Sequence, residues 1–262
     1  MVTGFHEKGW CRYPVDPGVA AWIAAAYDIA RERVLDPKEQ AEWLQCEGTW
    51  FVGVDTLPND PEGRIDGAGP LCGVAYAAAL ALYGELPLHR GQVSVMYPGY
   101  PRPRDGEGDG AFRYRLKRDA AHVDGLLAVG PDRQRMLKER HAYILGLPLN
   151  ACSADASPLV VWEGSHVIMR AAFAAALTDH APEDWGEVDL TEPYQAARRE
   201  VFEHCKRVTV PASPGEAYLV HRHALHGVAP WDPDAEAPKE GRIIAYFRPE
   251  LIGLGPEWLN LP

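Results

Sequence analysis

Near the start of the chain, apolar residues recur at three- and four-residue steps through Val19, Ile23, Ala26, Ala30 and Val34, which predicts a helix over 17–34. Asp16 stands before it as a cap and Pro17 takes the first helical position. Asp36-Pro37-Lys38-Glu39 repeats the start signal, with Glu39 placed to close a capping box, so a second helix is expected to about 46. Residues 55–70 carry Pro58, Pro61, Gly63, Gly67, Gly69 and Pro70 and read as a loop, whereas the alanine- and leucine-rich run 71–83 reads as a third helix.

The period then shortens to two. Val93, Val95 and Tyr97 alternate with Gln92, Ser94 and Met96, and Phe112, Tyr114 and Leu116 alternate with Arg113, Arg115 and Lys117, the signature of half-buried strands. Further short strands are expected at 141–149, 159–162, 207–210, 217–221 and 243–247, interrupted by one helical stretch over 194–204. Helices followed by many short strands with Gly/Pro turns predict an α+β fold whose body is a β-sandwich or barrel. There is no repeat and no low-complexity linker, so residues 1–262 read as a single domain, with 1–87 mainly helical and 88–250 forming the β core.

Composition narrows the function classes. At 262 residues the chain is long enough to build a core without staples. Lys plus Arg total 26 against 37 Asp plus Glu, a net −11 that argues against nucleic acid or an anionic membrane as partner. No apolar run approaches a membrane span. The five cysteines are scattered, without a Cys-x-x-Cys pair, and the first residues lack a basic stretch followed by an apolar one; a reducing, cytoplasmic setting is expected.

Candidate chemistry begins at His122-Val123-Asp124. In an extended segment residues i and i+2 share a face, so an imidazole and a carboxylate are presented side by side, needing one more ligand to hold a metal by one face. The run His221-Arg222-His223-Ala224-Leu225-His226 offers three histidines, and spacing does not choose among them: His221 and His223 share a face, whereas His226 lies at odd spacing. Two histidines and one carboxylate with open positions suit a non-haem Fe(II) oxygenase. Arg242 lies in the otherwise apolar Gly-Arg-Ile-Ile-Ala-Tyr-Phe strand, where a buried guanidinium needs an anionic partner. Asp105-Gly-Glu107-Gly-Asp109-Gly110 resembles a calcium loop, but Leu116 stands where the bidentate glutamate belongs, so it is read as a loop over the barrel mouth. Arg102, Arg104, Arg113, Arg115, Lys117 and Arg118 read as a solvated strand face, with docking of an anionic substrate as the sharper alternative.

His122-x-Asp124, the run from Ser157 to Glu163-Gly164-Ser165-His166, Leu225-His226-Gly227 and Arg242 follow one another in the order seen in the phytanoyl-CoA dioxygenase-like branch of the Fe(II)/2-oxoglutarate-dependent oxygenases, and residues 88–250 resemble that family. The resemblance implies a double-stranded β-helix (a jelly roll or cupin-like barrel) with N-terminal flanking helices, Fe(II) held by His122, Asp124 and His226, and the distal carboxylate of 2-oxoglutarate bound by Arg242. It departs from the family at Glu163, where a proline is usual, and at Ile244, where many relatives carry a hydroxyl; Tyr97, Gln92 and Asn150 are the candidates for the second co-substrate contact. Retention of Asp124 favours hydroxylation over halogenation, with O2 and a small organic molecule as substrates and succinate and CO2 released. Two alternatives remain: a cupin-like metalloenzyme using His221 and His223 without 2-oxoglutarate, and a non-catalytic jelly-roll binding module. Trp162, Trp185, Trp231, Tyr97 and Tyr100 are available either to a pocket or to the core.

Overall fold

The computed structural model describes residues 2–262, with side chains from Gly4 onward. The chain opens with α1 (Val2–Lys8) and β1 (Trp10–Tyr13), turns through Pro17–Val19 into α2 (Ala20–Leu35) and α3 (Pro37–Trp43), and adds β2 (Leu44–Gln45), β3 (Trp50–Phe51) and α4 (Val74–Tyr83). There follow β4 (Gln92–Met96), α5 (Asp109–Lys117), β5 (Leu126–Val129), β6 (Gln134–Leu137), β7 (Tyr143–Pro148), β8 (Leu159–Trp162), α6 (Ser165–Leu177) and α7 (Thr191–His204). The chain ends with β9 (Arg207–Val210), β10 (Ala217–His221), β11 (His226–Val228), β12 (Arg242–Phe247) and α8 (Glu257–Asn260).

Seven strands form a large sheet in the order β1-β10-β7-β12-β4-β3-β2, and three form a small one in the order β11-β8-β9. From β7 the chain crosses to the small sheet for β8 and β9, returns for β10, crosses again for β11 and returns for β12, winding both sheets around one interior. Ile144, Tyr218, Val220 and Ile244 of the large sheet meet Leu159, Val161 and Val210 of the small one inside. The outer face of the large sheet, with Leu145, Leu147, Ile243, Ala245 and Phe247, joins Trp22, Ile23, Ala26 and Ala30 of α2 in a second layer of core. Covering both faces explains why β4, expected to be half-buried, is buried at every position.

Several expectations change. Residues 112–117 belong to α5, not to a strand. A six-residue alternation is too short to decide the period, and the charges favour a helix: Asp109 lies in its first turn and Arg115 and Lys117 in its last. The basic cluster is therefore not one face; Arg115 pairs with Glu107 in the interior, Arg104 lies over Trp50 and Arg118 over Phe202. The second helix stops at Trp43, and its capping box does not form: Asp36 accepts from the Lys38 amide (2.9 Å) while Glu39 turns to Arg33 (3.8 Å). The helical N-terminal part also supplies β1, β2 and β3 to the large sheet, and the hairpin β5–β6 and helix α6 are elements that the expected order does not contain.

The end of β10 carries a buried histidine group. His221 lies 4.8 Å from His166 and 5.3 Å from His223 between ring centroids, and His223 packs against Phe173 and Trp258 with neither ring nitrogen bonded. Burial, reinforced by Arg222 and Arg170 and by the neighbouring imidazoles, holds His221 and His223 well below the ordinary imidazole range. Both stay neutral when the chain is folded, whereas the unfolded chain protonates them below about pH 6.5. Their contribution is complete above that pH and declines as pH falls, by at most about 1.4 kcal/mol per histidine per pH unit. We expect the melting temperature to drop between pH 7 and 5 less steeply in His223→Leu than in the parent; equal slopes in both would remove His223 from the acid response.

Candidate metal centre

Two left-handed residues, Asp119 and Ala120 (φ 53° each), turn the chain out of α5 and launch 121–124 as an extended segment. Asp119 is fixed by a bidentate ion pair with Arg207, 2.7 Å to each oxygen. His122 then pairs with His226 as an antiparallel bridge, its amide donating to the His226 carbonyl (2.8 Å) and its carbonyl accepting from the His226 amide (3.0 Å). Residues directly opposite in such a pair project to the same face, so both imidazoles rise on one side, 4.6 Å apart between ring centroids, while Asp124 follows two residues on. Gly227 makes this approach possible: a Cβ there would lie 2.1 Å from the Asp119 carbonyl oxygen. The peptide before His226 is held by Ser165, whose hydroxyl accepts from the Leu225 amide (2.9 Å). Ser165 begins α6 after the left-handed Gly164, which gives the Glu163-Gly164-Ser165-His166 segment a concrete role.

His122 Nε2 lies 3.2 Å from Asp124 Oδ1, and His226 Nε2 lies 3.7 Å from Asp124 Oδ2. One ligating atom from each of the three residues falls within 4.8 Å of the others. Ligands about 2.1 Å from an octahedral ion are about 3 Å apart, so the set needs only small closure. Each histidine Nδ1 faces a main-chain carbonyl, Ala120 for His122 and Ala224 for His226, both at 2.9 Å. With Nδ1–H donating there, both Nε2 atoms are left as bases aimed at one point, the arrangement found behind metal-bound histidines. Burial opposes ionisation of Asp124, but Arg248, His226 and His122 together hold its carboxyl well below the usual carboxylate range. For His122, burial favours the neutral ring and the adjacent Asp124 outweighs it, raising the imidazole above its ordinary value. The donor set fits a divalent transition metal.

His122 and Asp124 of the triad line a cavity of about 930 Å³, together with Trp50, Leu88, Tyr114, Leu126, Tyr194 and Arg248, and the buried His226 stands behind them. Arg248 Nη1 donates to Asp124 Oδ2 (3.2 Å) and Nη2 to Gln92 Oε1, so Gln92 reaches the centre through an arginine. Arg242 lies six residues earlier, at the start of β12, and lines a separate cavity of about 210 Å³ with Arg12, Cys152 and Tyr218; its Nε is buried without a partner among the described residues. Asn150 does not face the triad: its amide donates to Gly241 O (2.7 Å) and accepts from Ile243 N (2.9 Å). Tyr97, which packs into the core, also lies outside this cavity. Trp162, Trp185, Trp231 and Tyr100 are core residues, and the aromatic walls of the cavity are instead Trp50, Tyr114 and Tyr194. His221 and His223 lie in the buried group at the end of β10, apart from the triad, because β11 starts on the other sheet. Glu107, from the loop taken for a barrel-mouth covering, lines the cavity and pairs with Arg115.

No family model matches the chain, and no curated protein matches it in sequence. Among solved structures it is similar to the non-heme alpha ketoglutarate dependent carbocyclase SnoK from nogalamycin biosynthesis, with 16% identity, a TM-score of 0.50, and 94% of this chain and 81% of that chain covered. AviO1 from Streptomyces viridochromogenes Tue57 gives 16% identity, a TM-score of 0.49 and coverage of 97% and 96%. EctD from S. alaskensis with bound Fe gives 15%, 0.47, and 95% and 74%. The likeness to SnoK, with the two sheets wound around one interior, shows the fold of this chain to be α+β, a double-stranded β-helix with helices packed on its large sheet.

Proposed function

We propose that the protein is a non-haem Fe(II)/2-oxoglutarate-dependent oxygenase of phytanoyl-CoA dioxygenase-like type that oxidises a small organic molecule, most simply by hydroxylation. The observation that carries this reading is the convergence of His122 Nε2, Asp124 and His226 Nε2 on one point inside a jelly roll, with both Nδ1 atoms tied to carbonyls. Fe(II) bound there would couple the activation of O2 to the decarboxylation of a 2-oxo acid. The three side chains would hold such an ion from one side, leaving room for co-substrate and O2. The tied imidazoles fix ligand direction before the metal arrives, and the apolar part of the wall, with Leu88, Leu126 and Trp50, limits water near the reacting centre. SnoK, described as a non-heme alpha ketoglutarate dependent carbocyclase, agrees with this reading at the level of the co-substrate. We further propose a reducing, cytoplasmic setting, supported by five free thiols; no described helix is long and apolar enough to cross a membrane.

Two arginines compete for the distal carboxylate of 2-oxoglutarate. Arg242 is favoured by its inward face and its unpartnered buried Nε, Arg248 by sharing the triad's cavity. Arg242→Ala is expected to weaken 2-oxoglutarate binding while iron content stays unchanged, since removing one partner of a buried charge pair costs about 2–5 kcal/mol. If calorimetry finds the affinity unchanged in Arg242→Ala and lost in Arg248→Ala, the carboxylate contact belongs to Arg248. The function itself is tested anaerobically: Fe(II) and 2-oxoglutarate added together should produce a visible metal-to-ligand charge-transfer band. Absence of the band, with no 2-oxoglutarate binding in the presence of iron, rejects the oxygenase.

A further inference from the structure

The charged groups lining the triad's cavity are unequally partnered. Its carboxylates mostly have cations or imidazoles beside them: Glu107 with Arg115, Asp124 with Arg248, Glu139 with His141 (3.0 Å) and Asp55 with His89 (3.4 Å). Arg135 and Arg198 line the same cavity, and among the described residues neither makes an ion pair with a carboxylate. Arg198 lies between two aromatic rings, 4.6 Å from the centroid of Tyr114 and 5.2 Å from that of Tyr194. Those rings are anchored on the metal-ligand segment itself: the Tyr114 hydroxyl donates to the Ala121 carbonyl (2.7 Å), and the Tyr194 hydroxyl sits against the Val123 amide. The Arg135 side chain donates to the Leu126 carbonyl at 3.4 Å, and its main-chain amide is held by Thr191 at the start of the helix that carries Arg198. Two guanidinium groups thus sit on supports bonded within two residues of His122 or Asp124, without a carboxylate ion pair among the described residues, in a protein whose net charge is −11. The two rings hold the Arg198 side chain in place, and a guanidinium presents its N–H groups as a fork that binds carboxylate or phosphate by two parallel bonds.

We propose that Arg198 and Arg135 form the recognition site for an anionic group on the primary substrate, so that the enzyme acts on an organic acid or phosphate ester whose apolar body lies along Trp50, Leu88 and Leu126. The proposal rests on the triad marking the reacting centre. It differs from Arg242 and Arg248, the two candidates for the co-substrate carboxylate, and it names the substrate's chemical class: an organic anion with an apolar or aromatic body, sized for a cavity of about 930 Å³.

The test measures binding of three probes to the metal-free protein by calorimetry: 2-naphthoate, 2-naphthyl phosphate and the neutral 2-naphthalenemethanol. At least one anion should bind about tenfold more tightly than the alcohol, with the advantage shrinking as salt rises. Whichever anion gains the advantage identifies carboxylate or phosphate as the recognised group. Arg198→Gln should abolish the advantage and Arg198→Lys restore part of it; Arg135→Gln supplies a second variant should Arg198→Gln fail to fold, and Arg113→Gln, exposed and outside the cavity, should behave as the parent. Equal binding of alcohol and anions, binding of no probe, or an anion preference that survives in both glutamine variants overturns the proposal. Because the readout uses neither iron nor 2-oxoglutarate, loss of the charge-transfer band with an intact anion preference would reject only the oxygenase chemistry.

Discussion

Replacing His226 with alanine is expected to empty the metal site and end 2-oxoglutarate turnover, while His221→Ala and His223→Ala retain metal. His226 supplies one of three converging atoms, its Nδ1 is committed to the Ala224 carbonyl, and among the described residues no further His, Cys, Asp or Glu joins the group. Removing even a hydrogen-bond partner behind a metal-bound histidine weakens metal affinity by about 10–100-fold, and removing the ligand itself should exceed that. His226 lies on a short strand whose main-chain bonds to His122 do not depend on the imidazole, so the fold should persist. Metal analysis after anaerobic loading, with circular dichroism to confirm folding, reads the result. If His223→Ala loses iron and His226→Ala keeps it, the buried histidine group at the end of β10 becomes the metal site and the cupin-like alternative gains.

Gly227→Ala should have the largest effect on stability at the site. The added methyl would stand 2.1 Å from the Asp119 carbonyl oxygen and 3.2 Å from the Ala121 amide, and that carbonyl accepts the Val228 amide (2.9 Å). Neither neighbour is a flexible side-chain end, so β11 and the 119–121 turn must separate. Forcing extra volume into a packed contact costs about 1–3 kcal/mol, and here the strain falls on backbone, which puts the expected loss at the upper end. In a chain of this size each kcal/mol lowers the melting temperature by about 2–4 °C. The separation also parts His122 from His226, so metal affinity should fall together with the melting temperature. A Gly227→Ala protein that keeps both would show that the turn and the strand move apart without cost.

The comparison of sequence and structure divides along a physical line. Strands 159–162, 207–210 and 217–221 were legible with their observed ends, because each is a short apolar run closed by turn residues or a polar break. His122 and Asp124 were legible as a pair because an extended backbone places i and i+2 on one face whatever surrounds it. α6, by contrast, was missed although its alanines favour a helix, and 112–117 was read with the wrong period because six residues fit either pattern.

The residues themselves determined the ligand types, the acidic surface charge and the mixture of helices and short strands. Which histidine lies beside the pair was decided only by tertiary structure: the hydrogen-bonded register of His122 with His226, across more than a hundred residues, and the crossing of the chain from β10 to β11 on the opposite sheet. The contact of Arg248 with Asp124 and the stacking of Arg198 on Tyr114 likewise join segments far apart in the chain. Local periodicity records only which residues share a face within one element, whereas a site is made where elements meet. Register and sheet crossing are set by how two faces bury their apolar side chains against each other, a property of the packed pair of sheets that neither strand carries alone.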